Sequence, residues 1–536
     1  NIGDSLTVTG NGDWIGDTAL VGGQVSFDVG SADLGRLQST GGDLLLNVAR
    51  ALAVNDLHSD SKRVEVNAGG AQLGNVNAAT TLSVHTTADA LQIGTGISGG
   101  DLTLTTLAGS LANIQFGPLA DPATPNVLVP SHLKSGANIL VRADGDVLGG
   151  NAQAQGRLQI FGRNLRLGRA QSLQGDVFLQ ANGDASLGHG NISVLKVEAE
   201  NDVGILATGN LDIVNVDLVG ANSLRAGRDL TVGIGGNLNV TGVAEAGRDL
   251  TLTVGGEIDL EAIRAGRNVL VTSGGAVNLT NGVETGGAVT ITAAGGGITM
   301  GTGIQSSGLF EGAAVNGDVL LNAAGDISIP NIVVGNGLIT ASGHNLSLNQ
   351  LTASGDVGLL ASGSIRVGTS QSGGDQSWHA DEDIWFTRLL AGGQVLLDSI
   401  LDTRGNELVA DQGVTINAGW RNAVAGPGSI DVDRMQAPTM SLWAGHLIRV
   451  ADAGIGQSAD LHGQDIELYG QHTGAGQLNL DITGSGDAIA NRLVLGLQAG
   501  QVQIAQLHVS DSQVQMSGAQ LAIDDAQGVD RMRLQT

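Results

Sequence analysis

The chain has 536 residues, with 85 Gly, 7 Pro, no Cys, 2% aromatics, and 52 acidic against 25 basic side chains, a formal charge of −27. Zero Cys excludes disulfide scaffolds, thiolate zinc sites and thiol catalysis, and the acidic surface repels nucleic acid and anionic lipid heads. A hydrophobic content of 41% is too high for a disordered polar tract, and Gly without a three-residue period is not collagen.

Short strands announce themselves from the start of the chain. Gly42-Asp-Leu-Leu-Leu46, Gly100-Asp-Leu-Thr-Leu104 and Gly175-Asp-Val-Phe-Leu179 share a Gly-Asp-apolar opening. Between the last two, residues 117–131 hold Pro118, Pro122, Pro125 and Pro130, which predicts a loop thrown off the repeat. The clearest repeat follows: Ala226-Gly-Arg-Asp-Leu-Thr-Val232, Ala246-Gly-Arg-Asp-Leu-Thr-Leu252 and Ala265-Gly-Arg-Asn-Val-Leu-Val271, then more loosely Gly286-Gly-Ala-Val-Thr-Ile-Thr292. A second strand follows each of the first three after a Gly pair, at Gly235-Gly236, Gly255-Gly256 and Gly274-Gly275. Apolar residues alternate inside these strands, as in Leu250, Leu252 and Val254 against Thr251 and Thr253, so one face is buried and the other wet. Gly317-Asp-Val-Leu-Leu321 and Gly355-Asp-Val-Gly-Leu359 carry the pattern on.

A period near 20 residues with short strands and Gly, Asn or Asp corners predicts an all-β parallel β-helix of about 27 coils. Gly and Asn are expected at the corners as the residues that tolerate positive φ. Arg228, Arg248 and Arg267 should stack one coil apart, with Asp229, Asp249 and Asn268 making corner hydrogen bonds. Residues 1–369 read as a regular rod. Residues 370–445, with Pro427 and Pro438, read as irregular or decorated, and 446–536 as a return to regular coils, for example at Leu478, Leu480 and Ile482.

The Ala-Gly-Arg-Asp-Leu-Thr-Val…Gly-Gly-x-Leu-x-Val pattern of 226–300 resembles the repeats of filamentous haemagglutinin and related large exoproteins. The resemblance implies a right-handed β-helical filament, secreted by a Gram-negative bacterium through an outer-membrane partner transporter (two-partner secretion). It also implies an extracellular or cell-surface adhesin that attaches to exopolysaccharide or to host-cell glycans. The Asn-Pro-Asn motifs of the family's secretion domain do not occur, so the transporter is expected to act through a segment outside these residues. Arg-Gly-Asp is also missing. An inert stalk of a larger exoprotein, such as a contact-dependent inhibition toxin, and a β-helical polysaccharide-active enzyme are the alternatives. A monomer is expected, because so many like charges resist lateral bundling.

Catalytic motifs for nucleotides and zinc peptidases do not occur, and the ten His are scattered. Asp381-Glu382-Asp383, Asp431 with Asp433, and Asp524-Asp525 are the acidic clusters. A glycosidase needs two carboxylates ~5–9 Å apart across a cleft; solvated acids on an acidic surface are the expected reading, with no enzyme, metal or cofactor. Four of five Trp (Trp378, Trp385, Trp420, Trp443) and the single Tyr469 fall between 378 and 469. Such rings either fill a wider core or form a glycan-binding patch, in which Asp381, Asp383, Arg388 and Arg421 would hydrogen-bond sugar hydroxyls.

Overall fold

The computed structural model describes residues 1–107, 109, 111–117, 132–214, 222–421, 424–484, 490–517, 520–527 and 531–535. Nearly all of the loop expected at 117–131 lies outside these residues, as does part of 524–536. Two compact units are formed, Asn1–Gly266 with Leu270–Leu279, and Arg267–Val269 with Thr280–Thr536. Each is built of parallel strands, and the chain is a parallel β-solenoid, 68% strand, of about 25 turns of roughly 19 residues. The turns are fewer than the period suggested because several are lengthened by insertions.

In the first unit, alternation sets the register. Leu230, Val232 and Ile234 lie beside Leu250, Leu252 and Val254, and all six are buried, while Thr231 lies beside Thr251 on the wet face. The core is narrow and aliphatic, with Phe27 and Phe116 among its few rings. Buried corner hydroxyls are satisfied across coils: Ser39 Oγ donates to the Gly23 carbonyl (2.7 Å) and Ser59 Oγ to that of Gly42 (3.0 Å). The Arg-Asp repeat performs as expected. The Arg248 amide donates to the Arg228 carbonyl (2.8 Å), and Asp229 Oδ1 accepts the Asp249 amide (3.2 Å) and pairs with the Arg248 side chain (3.3 Å).

The glycine corners correct one expectation. None of Gly227, Gly235, Gly247 or Gly255 is left-handed. Their reason is space, since a Cβ on Gly255 would lie 2.2 Å from the Gly235 carbonyl oxygen of the coil before. Glycine lets consecutive corners approach to hydrogen-bonding distance.

In the second unit, a ladder of Asn and Asp side chains does the corner work. Asn345 Oδ1 accepts the Ser364 amide (2.9 Å), Asp356 Oδ1 that of Asp375 (2.8 Å), Asp375 Oδ1 that of Gln394 (2.7 Å), and Asp383 Oδ1 that of Asp402 (3.0 Å). Asn268 Oδ1 likewise accepts the Ala288 amide (3.1 Å). Each of these bonds satisfies a backbone donor that a strand ladder leaves over at a corner.

The stretch expected to be irregular is regular up to Ala418. Strands Gln376–Ala380, Ile384–Ala391, Gln394–Ser399, Thr403–Ala410 and Gly413–Ala418 stack in parallel register. An antiparallel pair, Trp420–Arg421 with Val424–Ala425, is then inserted at a corner. It lengthens that coil so that Ser429 bonds back to Asp402 over 27 residues, and parallel pairing resumes at Ile430.

Candidate functional site

The aromatic cluster separates into rings with different jobs. Trp378 is 0% exposed, with Leu359 and Leu397 as its register partners and its ring edge-on to Phe386 at 6.2 Å. A residue so enclosed cannot touch a glycan, so it leaves the expected patch and joins the core. Trp443 is half-buried. Its ring stacks on His462 in the next coil (3.5 Å, 19°), and its Nε1 donates to Ser441 Oγ (2.8 Å). With a face committed to His462, Trp443 serves packing. The side chains of Trp420 and Arg421 lie outside what the structure describes.

Trp385 is 40% exposed and stands on the outer face of Ile384–Ala391, between the buried Ile384 and Phe386. Its register partners are Arg366 in the coil before and Arg404 in the coil after. Their guanidinium carbons lie 5.2 and 5.4 Å from the indole centroid, a cation–π sandwich. Arg404 also pairs with Asp402, whereas Arg366 has no carboxylate partner among the described residues. Beside the sandwich runs an open groove of about 450 Å³, whose polar rim is Ser347, Asn349, Thr387 and Asn406. Its floor exists because position 405 is Gly: a Cβ there would lie 2.1 Å from the Phe386 ring, which is buried in that space. The groove therefore offers two guanidinium groups, an indole edge, two hydroxyls and two amides, which suits a hydroxyl-rich ligand.

Tyr469 is 42% exposed and lies over Gly496 of the next coil; a Cβ on that glycine would be 2.7 Å from the ring. A second groove, about 500 Å³, surrounds it, with Asp452, Gln471 and Gln498 at its margin.

The other predicted site residues are engaged elsewhere. Arg388 lies beyond the corner at Thr387 and Arg388, where two exposed residues in succession break the alternation. Its Nε pairs with Glu407 (2.7 Å), outside the Trp385 groove. Asp383 caps the next corner, and Asp381 lies 3.7 Å from His379 Nε2, whose ring bonds Asp398 through Nδ1 (2.8 Å). Of the carboxylate pairs, Asp431 and Asp433 both face Arg449, which Asp431 bonds; that contact holds the Arg449 pKa above its ordinary value. Among the described residues no group of three His, Asp or Glu is placed to hold a metal ion, and no helix is long and apolar enough to cross a membrane.

Sequence reasoning missed Arg366, Arg404 and the amide and hydroxyl rim. The period itself was the available signal, since one coil before and after Trp385 gives those two arginines. No protein-family model, no curated protein and no solved structure matches the chain.

Proposed function

We propose that the chain is a section of an adhesin filament of the filamentous-haemagglutinin type, exported by an outer-membrane partner transporter. In this reading it attaches cells to exopolysaccharide or host glycans through the Trp385 groove. The observation that carries the reading is a solvent-facing tryptophan held between two arginines beside a groove rimmed by amides and hydroxyls, on a solenoid compatible with a filament or stalk. Stacking on the indole restrains both guanidinium groups, which reduces the freedom they lose on hydrogen-bonding a sugar. Each groove is shallow and binds weakly, and many copies on one cell surface supply avidity. Binding is favoured over hydrolysis because Asp431 and Asp433 both face one arginine and do not oppose each other across a cleft.

The test is an array of exopolysaccharides and host glycans probed with the chain and with Trp385→Ala. A saturable signal on a restricted set of glycans that Trp385→Ala abolishes is the expected result. No binding to any glycan by the folded chain refutes the reading and leaves an inert stalk.

A further inference from the structure

The grooves at Trp385 and Tyr469 share one strip of the second unit. Arg366, Trp385, Arg404, Asp431, Arg449 and Glu467 are successive register partners, one per coil, all on the outer face. Tyr469 stands two residues beyond Glu467 on Asp465–His472, as Thr387 stands two beyond Trp385 on Ile384–Ala391. In a strand that offset returns a side chain to the same face. Four coil steps separate the two rings' coils, which at ~4.8 Å each is about 19 Å along the stacking direction. Between them lie the polar Asn406, Asp431, Asp433 and Arg449 and the exposed Ala451. One margin of the strip is an ion-pair ladder beyond the corner: Arg388 to Glu407 (2.7 Å), Glu407 to Arg434 (3.5 Å), and Arg434 to Asp452 (3.8 Å).

We propose that the two grooves are the ends of one track, and that its ligand is a linear polysaccharide lying extended along the stacking direction. The proposal rests on the glycan reading of the Trp385 groove and adds the ligand's shape and minimum length. An extended pyranose chain advances by about one coil spacing per sugar, so its hydroxyls meet one column residue after another. About five sugars reach from ring to ring at that spacing. A peptide strand is a poorer occupant. It would add to a sheet edge through main-chain bonds, whereas the backbone beneath the strip is already paired to the coils on either side. The aromatic stops differ in kind: both faces of Trp385 carry guanidinium groups, while Tyr469 covers a glycine and borders amides. The track therefore has a cationic end and an end lined by amides and the Asp452 carboxylate, which gives a bound chain a direction.

The experiment is calorimetric titration of the chain, Trp385→Ala and Tyr469→Ala with cello-, chito- and mannuronate oligosaccharides of two to eight sugars. In at least one series the affinity of the unaltered chain should step up on the order of a hundredfold once the oligomer spans both rings. Tyr469→Ala should abolish the step while leaving short oligomers bound at Trp385, and Trp385→Ala should abolish binding at every length. Affinity independent of length, or unaffected by Tyr469→Ala, overturns the track and leaves the Trp385 site standing. No binding by any oligomer or by the parent polysaccharides overturns both.

Discussion

Replacing Trp378 by Ala separates core from surface within the aromatic cluster. A fully buried indole removes about 200 Å² from water, worth about 5 kcal/mol at about 25 cal/mol per Å². Against this, Nε1 of Trp378 is buried without a hydrogen-bond partner, a cost of about 1–3 kcal/mol that the substitution relieves. The net loss expected is about 3 kcal/mol, the low end for Trp→Ala in a core. In a solenoid the damage stays with the coil and its neighbours, so hydrogen exchange of peptides covering 357–399 is the assay. Trp378→Phe keeps a ring between Leu359 and Leu397 and drops the unpaired N–H, so its cost should be within about 1.5 kcal/mol. Glycan binding should survive both substitutions under conditions where the coil remains closed. A loss below about 1 kcal/mol for Trp378→Ala, together with ready quenching of that indole by acrylamide, would refute its place in the core.

Asp481 supplies a pH test. Burial chiefly, and then the charge of Asp460 in the preceding coil, raise its carboxyl pKa above the ordinary 3.8, against the opposing pull of His462 and His508. The folded state thus holds this proton more tightly than the unfolded chain, and stability falls as pH rises through the raised value. Asp481→Asn should melt higher than the parent at pH 7, and the gain should vanish on acidification to about pH 4; a gain that does not change with pH contradicts the assignment. Asn345→Ala removes the acceptor for the Ser364 amide and a donor to Asp326 Oδ1 (3.0 Å). It should cost about 1–2 kcal/mol, seen as faster exchange at the Ser364 amide. Gly405→Ala drives a methyl into the Phe386 ring, so thermal melting should show a loss of about 1–3 kcal/mol, and glycan titration a weakened Trp385 groove.

The fold was legible because stacking reproduces the sequence period. Leu230 beside Leu250 and Asp229 capping Asp249 follow from counting alone. Facing in 376–391 was not legible, for two reasons. Gln376 is polar yet 1% exposed, held by Ser370 Oγ (2.7 Å) and by its own bond to the Leu390 carbonyl (2.6 Å), so it breaks the pattern that would have placed Trp378 inside. Ile384, Trp385 and Phe386 form an unbroken apolar run, which gives no alternation to read, and only neighbouring coils decide that Trp385 faces out. The Gly-Gly corners were recognised for a wrong reason. Local backbone preference suggested positive φ, whereas the constraint is the preceding coil's carbonyl, a contact between residues about 20 apart.

Columns in such a stack fall into two kinds, and the difference bears on function. Corner columns repeat Asn or Asp because every coil leaves the same amide to satisfy, so their chemistry is fixed by the fold. Outer-face columns carry no such debt. The one through Trp385 runs Arg, Trp, Arg, Asp, Arg, Glu, a sequence that no backbone requirement dictates. Insertions do not disturb this freedom. The coil lengthened at Trp420–Ala425 still places Asp431 on Arg404, because extra residues leave at the corner and the strands rejoin in register. A face of this kind can therefore change its side chains coil by coil while the spacing between them stays constant. A ligand whose repeat matches that spacing keeps one register over every coil it spans, so ring-bearing grooves several coils apart can act on it together.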